Sequence, residues 1–374
     1  MKEYSVAFTG DIAFSRYYRD RYEKTDLVDP ELKAFLNTSD CTVLNIEGAV
    51  CRPTQSGLFI HNNPPEAVPH FLLFKGKENC IWNLANNHVM DSGPEGCMET
   101  IALARQNGCM TVGAGANERE AIRPAVLPQA GGIGIIGLGY QPKCIPADET
   151  TPGCSSWDKT ELIRETVRQI KKDCRWCVAV IHGGREFCDI PMQDIRDRYH
   201  ALIDMGVDAV VAHHPHVPQN YESVGGKLIF YSLGNFIFDT DYQRAQFHTD
   251  TGVLVRLVFT DTELRFDAVG TRIDRESGRV SRAALPAVFT AFEDRDYAAL
   301  YPLAAKRFLE HIVRRVAFTN PDEFHTDPDE EMMKAIIARE HREFPHFDLV
   351  LTEAARFDEN ALEAKYAPIR EYLI

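Results

Sequence analysis

Residues 82–91 read WNLANNHVMD, an apolar run that stops in two asparagines and a histidine, with an aspartate one helical turn on. Other apolar runs end in the same way. Asp11 closes YSVAFTGD, Glu47 closes CTVLNIE, and His182 with Glu186 close CVAVIHGGRE. AVVAHHPHV carries His213, His214 and His216 around Pro215, and KLIFYSLGNF carries Asn235. Asparagine is a poor interior residue of strands and helices. Its amide oxygen binds cations, and a neutral imidazole binds metal or moves a proton. Alone, Asn86-Asn87-His88 reads as a turn satisfying its own backbone. Three histidines within four residues are seldom core packing, and His214 and His216 can reach one centre if Pro215 stiffens the loop. Two carboxylates, an amide oxygen and three imidazoles suit one or two divalent ions, Mn, Fe or Zn before Mg.

Those side chains need strands to carry them and helices to space the strands. SGPEGCMETIALARQNG opens with Ser92 and Glu95 in capping-box spacing and stops at Gly108. DKTELIRETVRQIKK repeats the device with Asp158 and Glu161, and QDIRDRYHALIDMG halts at Gly206. Strands alternating with helices predict an α/β domain whose ligand site lies beyond the carboxyl ends of the strands. TGVLVRLVFTDTELRFDAVGTRID alternates as a late hairpin does. Beyond about residue 276 the periodicity turns helical, with Asp327, Pro328 and Glu330 in helix-start order. The expected division is a catalytic domain over 1–275 and a mostly helical extension over 276–374. Gly132, Gly134 and Gly137 satisfy G-x-G-x-x-G inside GGIGIIGLG. No helix pattern follows them, so a glycine-rich strand packed against a neighbour is expected, not a dinucleotide site.

The 374 residues carry a formal net charge of −14, with 44% hydrophobic and 26% charged residues. That balance excludes non-specific nucleic-acid binding and disfavours docking to anionic membranes. MKEYSVAFTGD reads as a strand and not as a signal peptide, and no apolar run is long enough to span a bilayer. The ten cysteines, several inside apolar strands, are expected to be reduced and buried in the cytoplasm. Cys174 and Cys177 form a C-x-x-C with no second pair beside it.

The ordered set Gly10-Asp11, LNIEG (44–48), ANNHVMDSG (85–93), IHGGREF (181–187), AHHPHVPQ (212–219) and YSLGNFIFD (231–239) resembles the bacterial capsule-synthesis CapA family. That family is associated with poly-γ-glutamate capsules and is related in fold to calcineurin-like metallophosphoesterases. The resemblance covers about residues 5 to 260. It implies a four-layer α/β/β/α sandwich with a C-terminal helical extension. It also implies metal ligands at Asp11, Glu47, Asn87, His182, His214 and His216, with Glu47 bridging two metals where an aspartate is usual. His88 then matches the catalytic histidine, oriented by Asp91. Asn45, Arg185, Glu186 and Asn235 are expected to support the ligands or touch substrate. Two departures stand out. Ala13 occupies the position of a usual histidine ligand, and Gly183-Gly184 replaces a usual tryptophan after His182.

The resemblance implies a metal-dependent hydrolase in which one or two divalent ions activate water for attack on a phosphoester or a γ-glutamyl amide. The substrate would be an anionic small molecule or polymer, with capsule-synthesis proteins as partners, no nucleic acid, and no membrane anchor in this chain. The alternative is a non-catalytic capsule-assembly component that binds polymer or a synthase. His61 and His248, near the motifs, read as ordinary polar loop residues.

Overall fold

A computed structural model describes residues 3–373 apart from 25, 53–58, 72–78, 141–143, 320–329 and 344–346. The first sheet is built on strands β1 (Tyr4–Ile12), β2 (Cys41–Ile46), β3 (Cys80–Asn83) and β4 (Met110–Val112). The second contains β5 (Ala125–Leu127), β6 (Ile133–Gly139), β7 (Trp176–His182), β8 (Ala209–His213), β9 (Tyr221–Val224) and β10 (Lys227–Phe230). The chain then returns to the first sheet with β11 (Asn235–Ile237), β12 (Thr251–Phe259), β13 (Leu264–Ile273) and β14 (Val280–Ala283).

In the first sheet the order is β14-β13-β12-β1-β2-β3-β4, with β11 also paired to β1. In the second it is β9-β10-β8-β7-β6-β5. The inner strands of both are parallel, and the late β12–β13 hairpin is antiparallel. Parallel strands are covered on both faces, which is why these segments read as unbroken apolar runs. The two-residue strand period divides them between layers. Val6 and Phe8 of β1 meet Val178 and Val180 of β7 in a core between the sheets. Ala7 faces outward with Leu32, Leu36, Ile101 and Ala104 of helices α1 (Pro30–Asn37) and α2 (Gly93–Gln106). On the other side Ala179 and Ile181 of β7 pack on Ile163, Val167, Leu202 and Ile203 of α3 (Thr160–Asp173) and α4 (Gln193–Met205). The result is the α/β/β/α sandwich expected from the resemblance.

The C-terminal helices are α5 (Asp294–Thr319), α6 (Glu330–Glu343), α7 (Phe347–Arg356) and α8 (Ala367–Leu373). Leu300, Phe308, Ile336, Phe347 and Ile369 from them join the same apolar cluster as α3 and α4. The sheet runs on past residue 276, because β14 pairs with β13 as far as Ala283.

Local signals differ from expectation at two helix starts. The Ser92 hydroxyl donates to Asn62 Oδ1 at 2.9 Å and caps nothing, since a buried amide from another loop outcompetes the helix end. Helix α3 begins at Thr160 with Lys159 at its N-cap, and Asp158 instead pairs with Arg198 at 3.1 Å. Asp327 and Pro328 lie outside the described residues, and Glu330 opens α6. Gly206 ends α4 in the left-handed region, as expected.

The G-x-G-x-x-G run leads from Gly132 into strand β6, every residue of which is buried. A Cβ on Gly134 would run into the Ile170 side chain, and one on Gly137 into Asn83 Oδ1 and the Gly113 backbone. The glycines therefore serve close packing. Replacing Gly137 by alanine is expected to destabilise the fold by about 1–3 kcal/mol, read as a lower urea midpoint with an unchanged slope. An unaltered midpoint would contradict the packing described.

Candidate metal centre

Register brings the polar strand ends together. Asp11 of β1 lies opposite Asn45 of β2 and Asn235 of β11, and Asn45 lies opposite Asn83 of β3. In the second sheet His182 lies opposite His213. Both rows sit at the carboxyl ends of parallel strands, where no further backbone pairing uses the side chains.

The three amide and carboxylate tips of the first sheet form a ladder. Asn83 Nδ2 donates to Asn45 Oδ1 at 2.7 Å, and Asn45 Nδ2 donates to Asp11 Oδ1 at 2.6 Å. Asn45 Nδ2 also lies 3.4 Å from His182 Nδ1. The ladder fixes the Asp11 carboxylate and leaves its Oδ2 without a hydrogen-bond partner of good geometry. Glu47, immediately beyond β2, is wholly buried, and neither of its carboxylate oxygens has a hydrogen-bond partner among the described residues.

Imidazoles surround these oxygens. His182 presents Nδ1 at 3.7 Å from Asp11 Oδ1 and Nε2 at 3.7 Å from Glu47 Oε1. Single atoms of Asp11, Glu47 and His182 lie within 4.8 Å of one another, close enough to share a cation. Asn87 Oδ1 lies 2.9 Å from His182 Nε2, and His214 Nδ1 lies 3.2 Å from the same atom. His216 sets Nδ1 at 3.3 Å from Asp11 Oδ2 and Nε2 at 3.6 Å from Glu47 Oε1. The donors thus overlap: Asp11, Glu47 and His182 share one cation-sized space, Asn87 and His214 reach the His182 ring, and His216 spans Asp11 and Glu47.

Electrostatics follow from burial. Removal from water pushes the Glu47 carboxyl up, with His216 opposing. Burial acts on Asp11 in the same sense, but the adjacent His216 holds its carboxyl below the usual range. Burial holds His182 well below the ordinary imidazole value, which favours the neutral ring with one nitrogen protonated and the other carrying a lone pair. For His216 burial is outweighed by Glu47 and Asp11, which raise it. Two anions packed this closely without water are costly unless compensated by positive charge. Unpartnered carboxylate oxygens beside the neutral His182 ring and an amide oxygen are a donor set that could hold a divalent cation.

Backbone strain accompanies the histidine loop. His214 (φ 96°) and His216 (φ 58°) adopt the left-handed region, which costs a residue with a Cβ about 1–3 kcal/mol each. His213 is turned away to bond Thr9 O at 2.8 Å through Nε2, tying the second sheet to β1. His216 lies nearly parallel to Phe238 at 4.8 Å between ring centroids. Asn235 Oδ1 meets His216 Nδ1 at 3.0 Å while its Nδ2 is committed to Thr249 O and Gln243 Oε1, which fixes how the amide points.

The two asparagines of ANNH divide their work. Asn86 Oδ1 accepts from the backbone N–H groups of Gly48 and His88, both at 3.0 Å, and its Nδ2 donates to Ile46 O. It builds the loop, while Asn87 faces His182. His88, with its side chain 14% exposed, sets Nδ1 at 2.8 Å from Asp91 Oδ2 and Nε2 at 3.8 Å from Glu47 Oε1. Arg185 is buried, donating to Tyr140 Oη and Asp194 Oδ2, both at 3.0 Å, and Glu186 accepts from Tyr242 Oη at 3.3 Å.

The segment His61-Asn62-Asn63 carries contacts that sequence reasoning passed over. Its polar residues precede two prolines, and no apolar run marks them as a strand end. Asn63 accepts from Phe14 N–H at 2.6 Å and donates to Glu47 O at 2.9 Å. The His61 ring, edge-on to His88 at 4.4 Å between centroids, is buried, and its backbone N–H donates to Asp91 Oδ2 at 2.7 Å. Asn83 was likewise missed, lying inside a run that reads as ordinary strand. His248 stacks on Tyr372 at 4.0 Å. All ten cysteines are buried and free. Among the described residues no helix is long and apolar enough to cross a membrane.

The family model of the bacterial capsule synthesis protein PGA_cap matches residues 5–240, a span that includes every strand end just described. The chain belongs to this family. PGA_cap relatives include "PGA biosynthesis protein CapA" of Bacillus subtilis (strain 168), 30% identical over 252 residues covering 65% of each chain. "Capsule biosynthesis protein CapA" of Bacillus anthracis is 28% identical over 255 residues, covering 65% of this chain and 61% of that one. The chain therefore spans somewhat less than two thirds of the length of these relatives. A 5'-nucleotidase from Candida albicans SC5314 aligns in three dimensions with a TM-score of 0.40 at 9% identity, over 73% of this chain and 52% of that one. The PGA_cap match ends before β12, so the hairpin that follows and the C-terminal helices lie beyond it.

Asp91 is shared between His88 and the His61 backbone. Asp91→Ala is expected to strand that N–H and to cost about 1–3 kcal/mol of stability, measured by equilibrium urea unfolding. Wild-type stability in the variant would mean that His61 is held by other contacts.

Proposed function

We propose that this protein is a metal-dependent hydrolase of capsule-polymer metabolism, acting on a phosphoester or on a γ-glutamyl amide. The observation that supports it most is the pair of buried carboxylates, Asp11 and Glu47, with unpartnered oxygens amid three imidazoles and the Asn87 amide. The names carried by the Bacillus relatives, capsule and PGA biosynthesis, supply the substrate class.

Asp11, Glu47, Asn87, His182, His214 and His216 would hold one or two divalent ions, Mn, Fe or Zn before Mg. A bound ion would supply Lewis acidity toward water and toward a phosphoryl or carbonyl oxygen. The remaining steps belong to the chain itself. The Asn83–Asn45–Asp11 ladder keeps one Asp11 oxygen aimed at the hollow. Asp91 accepts from His88 Nδ1 and leaves Nε2 on the hollow side, 3.8 Å from Glu47. Held so, His88 would donate its proton to the leaving group, a role that contributes ~10²–10⁴-fold in rate. Its partial exposure lets the proton be replaced from solvent. Asn235 keeps the His216 ring oriented through its fixed amide, as residues behind metal ligands commonly do.

One observation favours a second reading, a binding component without turnover. Ala13 takes the place of a usual histidine ligand, so the site has one protein donor fewer than the resemblance implies.

His88→Ala is expected to keep its metal and lose about 10²-fold or more of turnover, assayed on an aryl phosphate and on γ-glutamyl chains with each metal in turn. His182→Ala and His214→Ala are expected to lower the metal content found by elemental analysis. Zero turnover of wild type on both substrates with every metal would favour the binding reading. Unchanged metal content in both ligand variants would overturn the assignment of His182 and His214.

A further inference from the structure

The loop that leaves His182 is held from two sides. On the site side, Phe187 N–H donates to Pro215 O at 2.7 Å, joining this loop to the His214-Pro215-His216 turn. The Phe187 ring lies 6.0 Å from the His216 ring, which also stacks on Phe238, and 5.2 Å from Tyr242. On the outer side stands helix α5. Its His311 ring lies 4.6 Å from Phe187, and Arg307 Nε lies 3.9 Å from the carboxylate of Asp189. Tyr297 Oη donates to Pro191 O at 2.9 Å, and Tyr301 Oη to Met192 Sδ at 3.5 Å. Tyr297 with Tyr301, and Arg307 with His311, are spaced four apart, so one face of the helix supplies all these contacts.

The loop needs that support. Phe187 has φ 61°, in the left-handed region that a bulky residue seldom holds. Such a conformation persists only where surroundings over-determine it. Asp189 is wholly buried, and its Oδ1 has no hydrogen-bond partner among the described residues. Arg307 is the cation beside it, and that attraction keeps the loop under the helix.

We infer that helix α5, which lies beyond the PGA_cap match, is a positioning element of the metal centre, acting through Phe187 on the His216 ring. This rests on the metal reading above. Helix and loop form one clamp: α5 seats residues 187–192, and Phe187 lies against the His216 ring that also stacks on Phe238. The C-terminal helices thereby fix the direction of a ligand whose own loop is strained.

The test compares wild type with His311→Ala, Phe187→Ala and the bulk-preserving Phe187→Leu. Ile336→Ala on α6, a helix that supplies none of these contacts, serves as control. Cobalt(II) is titrated into each protein, following affinity and the visible ligand-field spectrum, and alkylation of the buried loop residue Cys188 is mapped without metal. His311→Ala and Phe187→Ala are expected to weaken cobalt binding about ten-fold and to alter the spectrum. Phe187→Leu should restore both, and Ile336→Ala should lower thermal stability with the spectrum intact. Cys188 should become reactive in His311→Ala. A wild-type spectrum and affinity in His311→Ala and Phe187→Ala would reduce these residues to ordinary packing and overturn the inference. A wild type that takes up no cobalt would overturn the metal reading, and the Cys188 arm would then decide the clamp alone, a protected Cys188 in His311→Ala sinking it.

Discussion

Two carboxylates share one buried hollow, and the surrounding architecture answers to that fact. Asp11 and Glu47 have no access to water. Their mutual repulsion and lost hydration must be offset by positive charge or by donors. The protein provides donors for only part of the need. Asn45 serves one oxygen of Asp11, while both oxygens of Glu47 lack a hydrogen-bond partner among the described residues and Oε1 faces three imidazoles. What sets these atoms apart from other unpartnered buried groups is that they belong to two adjacent, fully buried carboxylates. Their arrangement makes sense as a cation-binding charge pair.

From that constraint the rest of the site follows in layers. Histidines that approach the carboxylates come from two different sheets, so the sheets must face each other with their carboxyl ends aligned. The apolar core between β1 and β7 does this, and His213 adds a direct bond from β8 to Thr9. Around the inner donors stands a second set of amides, Asn83, Asn86, Asn63 and Asn235. Each uses one amide to satisfy backbone or ligand atoms at a fixed angle. Amides suit this work because they carry donor and acceptor without charge, adding nothing to the repulsion. Half of the described non-glycine residues held in the left-handed region, Phe187, His214 and His216, lie in the loops that carry the candidate ligands.

The match to the capsule-synthesis family covers the strand ends and stops before β12, yet the fold does not divide there. Strands β12, β13 and β14 extend the first sheet, and the C-terminal helices share an apolar cluster with the helices of the second. The loop after His182 is packed between the family's part and the remainder.

Much of the site was legible because metal-binding residue types are conspicuous where apolar strands end. Asp11, Glu47, His182, His214 and His216 stood out by residue type and order, and Asn87 was singled out by the resemblance. Residue type alone could not tell which of Asn86 and Asn87 builds the loop and which faces the hollow, because adjacent identical residues differ only in direction. In sequence His61 reads as an ordinary polar loop residue and Asn83 does not stand out, because their partners lie 30 and 38 residues away. Capping-box spacing at Ser92 failed because a distant amide competed for the hydroxyl. The sequence alone determined which chemistry was available, since residue types set the donors and charges. Tertiary structure decided which donors meet, because contact across two sheets depends on register and packing that no local pattern encodes.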